Sequence, residues 1–175
     1  MLLNKYIPEF QFNEIHKTVV NATASEAYKT TMELDLSKSR VIEILFKLRG
    51  LPFNSNEFAE INRNMRFTLL EEIPYSEFLY GFWFSTKTEW VVDLNEFIND
   101  STKYNAKVGW SFCFNQRTDG TTEIITETRV LCLNKISKFV FTIYWFFIRP
   151  FSGLIRLEML RLLKDTLNKK NIKSC

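Results

Sequence analysis

The sequence has little of what metal and nucleotide sites require. It contains one histidine, His16, and three cysteines, Cys113, Cys132 and Cys175, which do not have the spacing of metal ligands. Its five glycines are scattered, and neither a Walker A motif nor a dinucleotide-binding glycine pattern occurs. We therefore predict neither a metal ion nor a cofactor.

No apolar run is long enough to cross a bilayer, which takes about 20 residues. The longest run, Phe139 to Ile148, has ten residues and is flanked by Lys135, Lys138 and Arg149. The first ten residues show neither a long apolar run nor a small-residue cleavage site, so we predict no secretory signal. Together with an odd number of cysteines, this favours free thiols and a cytoplasmic location.

The chain also lacks internal repeats, low-complexity segments and Gly/Ser-rich linkers, so we predict one domain over residues 1–175. Its 46% hydrophobic and 25% charged composition is that of a globular protein and argues against disorder. Aromatic residues are abundant, at 15% of the chain. Aromatic side chains fill cores, and they also line pockets for flat or apolar ligands.

The order of patterns along the chain predicts an α+β fold. FQFNEIHKTVVNA, from Phe10, has the mixed composition of a strand, and two short helices follow it. Thr23 or Ser25 caps the first helix, and Gly50 and Pro52 end the second, whose Val41, Ile44, Leu45 and Leu48 recur at helical spacing. A further short helix is indicated by NSNEFAEINRN.

The middle of the chain reads as a series of antiparallel strands. The strand at AKVGWSFCFN alternates clearly, since Val108, Trp110, Phe112 and Phe114 share one face. A curved sheet wrapped around one long C-terminal helix accommodates every segment. The other predicted strands are FTLLEEI, EFLYGFWFS, EWVVDL and TEIITETRVLCL.

The C-terminal helix is predicted to be amphipathic, with one basic and one aromatic side. Pro150 removes a backbone hydrogen bond and is expected to kink the helix, which would leave space between helix and sheet. Glu158 projects onto the apolar side, where a carboxylate must be paired, protonated or facing a cavity. The basic stripe contains Lys135, Lys138, Thr142, Arg149, Arg156 and Lys164, and the apolar face Val140, Ile143, Tyr144, Phe147, Phe151, Leu154, Ile155 and Leu162.

Polar residues on two strands allow alternative interpretations. Glu127 and Arg129 lie two apart on one strand face, where they form either a structural charge ladder or, if that face is the inner one, a ligand anchor. His16 and Glu14 share a side of the first strand, and a structural histidine is favoured over a nucleophile's base. Candidate aromatic pocket residues are Tyr80, Phe82, Trp110 and Phe112 from strands and Tyr144, Phe147 and Phe151 from the helix.

These motifs resemble the START-like superfamily, also called Bet v 1-like or SRPBCC, and more narrowly an uncharacterised bacterial branch of it. The combination of IRPFSGLIR with TETRV carries the resemblance most specifically. The resemblance implies a helix-grip fold with a hydrophobic cavity between the sheet and the C-terminal helix. The other similar stretches, which together span most of the chain, are HKTVVNATASEAYKT, LFKLRGLP, FTLLEE, AKVGWSF and YWFFIRPFSGLIRLEML.

Within such a fold, the leading expectation is binding of a small hydrophobic or amphipathic molecule, such as a lipid, a polyketide or an aromatic compound. The first alternative is a cyclase- or dehydratase-like enzyme that uses Glu158 or Glu127 as acid or base. The resemblance transfers no catalytic residue, and a single histidine departs from the superfamily's iron-binding members.

A third alternative follows from the uneven charge. From Lys135 onward the chain has nine Lys or Arg against Glu158 and Asp165, which could attract an anionic membrane surface. The other interpretation of this charge is a solvated helix face. No helix-turn-helix or RNA-binding motif accompanies the basic residues, so we predict no nucleic-acid partner. The oligomeric state is left open.

Overall fold

The structure, a computed structural model, describes residues 1–48, 50, 57–85, 87–100 and 103–173. The predicted helix stop at Pro52 and the third cysteine, Cys175, lie outside these residues. The helices are α1 (Leu3–Tyr6), α2 (Ala24–Met32), α3 (Arg40–Leu48), α4 (Phe58–Asn64), α5 (Leu94–Ile98) and α6 (Lys135–Lys173), with a 3₁₀ helix at Leu36–Lys38. The strands are β1 (Phe12–Val20), β2 (Thr68–Ile73), β3 (Glu77–Phe84), β4 (Thr88–Glu89), β5 (Ala106–Gln116) and β6 (Thr122–Cys132).

The strands form one antiparallel sheet in the order β1-β6-β5-β3-β2, with β4 beside β3. The last strand therefore returns to pair with the first, and α6 then packs along β1. Helices α2 and α3 follow β1 and also contact α6. The arrangement confirms the predicted α+β helix-grip fold.

The start of α2 follows directly from local sequence. The Thr23 side chain accepts a hydrogen bond from the Glu26 amide, and the Glu26 carboxylate accepts one from the Thr23 amide. This reciprocal capping box satisfies two amides that the helix itself cannot bond. Of the two predicted caps, Thr23 is therefore the one that is used.

The sheet separates two apolar layers. Its inner face, towards α6, carries Trp110, Phe112 and Phe114, as the alternation in β5 predicted, and packs against α2, α3 and α4. The outer face packs against α1 and α5, around the stacked rings of Trp83 and Tyr104. Gly109 lies on this outer face, where an added Cβ would be 2.8 Å from Leu3 Cδ2. The chain's first residues thus form part of the second core.

The prediction of a strand at EWVVDL is mostly wrong. Only Thr88 and Glu89 pair with β3, and α5 begins a few residues later. The Asp93 side chain accepts hydrogen bonds from the amides of Asn95 and Glu96, which caps α5 and prevents an extended strand. Local capping outweighs the β propensity of the two valines.

The buried face of helix α3 differs from the face that the predicted spacing indicated. It buries Ile42, Leu45 and Phe46, whereas Val41, Ile44 and Leu48 are exposed. The Ser39 hydroxyl, just before the helix, donates a 2.7 Å hydrogen bond to Glu158 of α6. This bond and the contacts with α6 fix which side of α3 faces the core.

Helix α6 is continuous through Pro150, and its predicted faces are only partly correct, since Ile155 is buried as predicted. Val140, Ile143, Phe147 and Leu154 are exposed rather than buried, and Arg156 points inward rather than along a basic outer stripe. Between Phe139 and Ile148 the helix is apolar nearly all round, so an apolar projection cannot define its inner side. The side chains that are buried along its described part are Ser137, Phe141, Ser152, Ile155, Met159, Leu160, Leu163 and Leu167.

By length and composition alone, α6 qualifies as a membrane span between Lys135 and Lys170, and 22% of its most apolar window is buried. The core helix of a globular protein passes the same test when it is mostly buried. The low buried share in α6 therefore marks an unusually exposed apolar helix. Sequence reasoning did not predict this exposure.

The capping box gives a first testable prediction. Replacing Thr23 with Ala removes the side-chain acceptor for the Glu26 amide, so the free energy of unfolding should fall by about 1 kcal/mol in urea titrations. Thr23→Ser keeps the hydroxyl and should retain most of the stability. Equal losses in the two variants would contradict the capping role.

Candidate functional site

A cavity of about 610 Å³ lies between the sheet's inner face and α6. Its floor comes from β3, β5 and β6, and its roof comes from the middle turns of α6. Helices α3 and α4 contribute Phe46, Phe58 and Ile61 to its sides. The cavity therefore occupies the position that the predicted fold implied.

Apolar and aromatic side chains make up most of the cavity wall. Phe82 and Phe67 stack with ring centres 4.2 Å apart, and Phe84 stacks on Tyr144 of α6 at 5.7 Å. These ring pairs fix the shape of one end of the cavity. A wall of this kind binds the apolar part of a small molecule by excluding water.

Arg156 is the cation that α6 places at the cavity wall. Its guanidinium donates hydrogen bonds to Thr128 Oγ1 at 2.6 Å and to the Ser152 carbonyl oxygen at 3.1 Å, and also to the Ser152 hydroxyl. The guanidinium carbon lies 5.3 Å from the centre of the Trp110 ring. All four residues line the cavity, so Arg156 is held rigidly in a mostly apolar surface.

Two residues of β1 support Arg156 from the side of the sheet. Glu14 Oε2 lies 3.6 Å from Arg156 Nη1, and Glu14 Oε1 lies 3.2 Å from His16 Nε2. The helix can come this close because residue 153 is glycine, where an added Cβ would lie 2.6 Å from Glu14 Oε1. His16 thus positions a carboxylate, in agreement with the structural interpretation of this histidine.

Asn62 is a second polar residue at the cavity. Its side chain is 1% exposed and lines the cavity from α4, yet neither amide atom makes a hydrogen bond of ordinary geometry. Burial raises the pKa of Tyr80, and the nearby Asn62 amide offsets part of that rise. A buried amide with unused hydrogen-bonding capacity destabilises the protein unless something else bonds to it.

Three predicted site residues reach the cavity. Phe82 and Trp110 form part of the floor, and Tyr144 forms part of the roof. Trp110 also donates a 2.7 Å hydrogen bond from its ring nitrogen to Thr126, which leaves one ring face available to Arg156. The predicted strand alternation placed the two floor residues correctly on the inner face.

Four other aromatic candidates lie elsewhere. Tyr80 and Phe112 are buried within the main core rather than at the cavity wall, because α4 packs Phe58 against both rings. Phe151 is half-buried against the same core. Phe147 is 65% exposed on the outward side of α6, since the helix is rotated relative to the predicted phase.

Glu127 and Arg129 are on the outer sheet face, away from the cavity. Arg129 Nε donates a 2.7 Å hydrogen bond to Glu127, and its Nη1 donates to Asn4 Oδ1 and to the Ile7 carbonyl oxygen. The pair therefore ties the N-terminal segment to β6. Of the two interpretations that the sequence left open, the structural one fits this position, and a ligand contact in the cavity does not.

Glu158 also lies outside the cavity. It accepts the hydrogen bond of Ser39 and lies 3.6 Å from Arg161 Nε, in a polar groove between α6 and Lys38 of the 3₁₀ helix. The carboxylate is paired, which is one of the outcomes expected for a carboxylate on this side of the helix. The rotation of α6 explains why the projection placed it on an apolar face.

Sequence reasoning missed Arg156, Asn62, Ser152 and Thr128. Ser152 and Arg156 are four apart in the helix, a spacing that places both on one side. A small side chain at Ser152, none at Gly153 and a cation at Arg156 together indicate a place where the helix can approach a strand closely. No comparable signal marked Asn62, because its burial results from the packing of α4.

Burial also determines the state of the described cysteines. It raises the pKa of Cys113 to about 12 and that of Cys132 to about 11, and both thiols are free. They are therefore protonated, and poor nucleophiles, at neutral pH. Within the described part of the chain, no cluster of three His, Cys, Asp or Glu could hold a metal ion.

No family model matches the chain, and no curated protein matches it either. Among solved structures, TTHA0849 from Thermus thermophilus is 8% identical, with 91% of this chain and 99% of that chain covered and a TM-score of 0.38. An uncharacterised Rhizobium leguminosarum protein is 8% identical, with 89% and 99% covered and a TM-score of 0.39. Ara h 8.0201 is 10% identical, with 86% and 98% covered and a TM-score of 0.28. These scores are too low to carry an argument, so the fold assignment rests on the topology described above.

The buried pair on the outer face gives a second prediction. Arg129→Leu leaves Glu127, which is 3% exposed, without its cation, so the free energy of unfolding should fall by about 3–5 kcal/mol. The double variant Glu127→Leu/Arg129→Leu should recover most of that loss, because no buried charge is left unpaired. Urea denaturation of the original chain, of the two single variants and of the double variant measures the coupling free energy between Glu127 and Arg129. Additive losses would contradict a structural pair.

Proposed function

We propose that this protein binds a small amphipathic molecule in the cavity between the sheet and α6. The observation that carries the proposal is a mostly apolar cavity lined by the buried amide of Asn62 and the partly buried guanidinium of Arg156. Ligand pockets in proteins combine an apolar wall with a few convergent polar groups in this way. Membership of the START-like superfamily is part of the same proposal and is supported by the helix-grip topology.

The apolar wall would supply most of the binding free energy. Burial of apolar surface stabilises a complex by roughly 25 cal/mol per Å², and cavities of about 300–1,000 Å³ suit molecules of drug or lipid-fragment size. The cavity volume of about 610 Å³ falls within that range. Aromatic residues such as Phe82, Trp110 and Tyr144 suit an aliphatic or aromatic ligand body.

The polar end of the ligand is expected to accept hydrogen bonds. Arg156 can only donate, and Thr128, Ser152 and Glu14 hold its guanidinium in place. Asn62 can both donate and accept. A carboxylate matches this pair best, since a guanidinium bonds a carboxylate more strongly than it bonds a neutral oxygen.

Binding is favoured over the cyclase- or dehydratase-like alternative. That alternative required Glu127 or Glu158 to face the cavity, and both carboxylates are engaged elsewhere by Arg129, Ser39 and Arg161. Glu14, the carboxylate behind Arg156, is engaged by that cation and by His16. A binding protein needs no general acid or base. The cytoplasmic location remains a prediction.

The role of Asn62 can be tested with a substitution that should raise the stability of the ligand-free protein and weaken ligand binding. Asn62→Leu removes a buried amide that makes no ordinary hydrogen bond, so the ligand-free protein should gain about 1 kcal/mol of unfolding free energy. The same change should weaken binding of palmitic acid by about tenfold, as the ligand loses a hydrogen bond. Urea denaturation and calorimetric titration measure the two quantities.

Ser111 provides the matched control. Its hydroxyl is also buried without a hydrogen-bond partner, but it lies on the outer sheet face. Ser111→Ala should therefore raise stability and leave palmitic acid binding unchanged. Weaker binding in both variants, or a destabilised Asn62→Leu protein, would contradict a ligand role for Asn62.

The role of Arg156 requires a charge-balanced variant, because removing the cation alone leaves Glu14 buried without its ion pair. The double variant Glu14→Gln/Arg156→Gln keeps two hydrogen-bonding side chains without net charge. It should bind palmitic acid about 10- to 100-fold more weakly than the original chain, since a charge-assisted hydrogen bond is worth about 1.5–3 kcal/mol.

Hexadecanol distinguishes the anchor from a general change in cavity shape. It has the same chain and a neutral end, so its affinity should change much less in the double variant. An equal loss for the acid and the alcohol would contradict recognition of a carboxylate by Arg156. Failure of the original chain to bind either probe would contradict the proposed apolar cavity function.

A further inference from the structure

The outward face of α6 exposes a continuous row of large apolar side chains. We define this outward face by Ile136, Phe139, Val140, Ile143, Phe146 and Phe147. Ile136 and Phe146 are 78% and 77% exposed, and Phe139 and Phe147 are 68% and 65% exposed. Contiguous exposed apolar surface of this kind marks an interaction site rather than ordinary surface.

The inward side of the same turns is held by the sheet. The Phe141 ring lies 5.1 Å from that of Phe12 in β1 and 5.6 Å from that of Phe84 in β3. The Trp145 ring lies 5.8 Å from that of Phe12. The outward face is therefore presented by a helix fixed on the domain.

The charged residues that α6 itself places beside the outward face are all basic. No Asp or Glu occurs between Glu127 and Glu158, whereas Lys135, Lys138 and Arg149 flank the apolar row and are exposed. Such a border would place like charges close together in a contact between two copies of the chain. It complements a surface that is apolar inside and negatively charged outside.

We propose that the outward face docks on an anionic lipid bilayer, with α6 lying in the plane of the interface. Aromatic and aliphatic side chains bordered by Lys and Arg are the features by which interfacial helices bind acidic membranes. The row from Ile136 to Phe147 extends only about 18 Å along the helix at about 1.5 Å per residue. That length suits lateral docking and is too short for a span of about 30 Å.

The docking surface is independent of the proposed ligand site, since none of its defining residues lines the cavity. The two are nevertheless adjacent, because Phe141, Tyr144, Trp145 and Ile148 of the same turns form the cavity roof. A bilayer on the outward face would thus contact the helix that covers the cavity. Binding of vesicles and binding of palmitic acid can be measured separately, so either proposal can fail without the other.

Vesicle flotation with the full chain tests the docking surface. The probes are vesicles of phosphatidylcholine alone and vesicles of phosphatidylcholine and phosphatidylglycerol in equal parts. The protein should float with the anionic vesicles, and added sodium chloride should release part of it because salt screens the Lys and Arg contribution. Phe139→Ser/Phe146→Ser should lower the partition coefficient at least about tenfold, and Lys138→Glu at least about fivefold.

Matched controls come from the opposite face of the sheet. Ile15 and Lys17 of β1 are exposed on the side away from α6, so Ile15→Ser and Lys17→Glu should float like the original chain. Circular dichroism melts confirm that each variant is folded, which is expected because the substituted side chains are exposed.

Four results would overturn the proposal. These are an absence of flotation with anionic vesicles, equal losses in the Ile15 or Lys17 controls, and binding that survives alkaline carbonate extraction, which would indicate a spanning helix. The fourth is a dimer in light scattering that the Phe139/Phe146 variant abolishes while vesicle binding is absent. That last result would assign the outward face to a second copy of the chain.

Discussion

The close approach of α6 to β1 is the contact on which the rest of this structure depends. Gly153 allows the helix to reach Glu14, and Arg156, anchored by Ser152 and Thr128, then fixes the rotation of the helix over the sheet. Because the helix is fixed at this side, the floor formed by β3, β5 and β6 is only partly covered, which leaves the cavity. The same rotation turns Phe139, Phe146 and Phe147 of the helix's first half outward.

This arrangement leaves one polar group where it weakens the empty protein. Asn62 is buried without an ordinary hydrogen bond, whereas Arg156 bonds to Thr128 and Ser152 and pairs with Glu14. A buried amide of this kind lowers stability, so an apolar residue in its place should raise the free energy of unfolding. The pair Glu127–Arg129 is likewise satisfied within the protein, and it fastens α1 to the sheet.

Patterns among neighbouring residues predicted most of the fold. The site was predicted less well, because the rotation of α6 about its own axis was predicted incorrectly. The alternation in β5 and β6 and the cap at Thr23 both depend on neighbouring residues. The first half of α6 has apolar residues on every side, so its inner face depends on Gly153 and Arg156 meeting β1. That error moved Phe147 and Glu158 into the predicted site and kept Arg156 out of it. Asn62 could not be predicted, because the packing of α4 decides its burial.

Native mass spectrometry of the freshly purified chain, followed by extraction of any bound molecule, tests the central claim most directly. The account predicts a one-to-one complex with an amphipathic molecule that is released on denaturation and carries a hydrogen-bond-accepting end. If the chain is found empty, it should take up a fatty acid from solution with a stoichiometry of one. An empty chain that takes up no fatty acid, isoprenoid or aromatic acid at saturation would contradict a ligand cavity beneath α6.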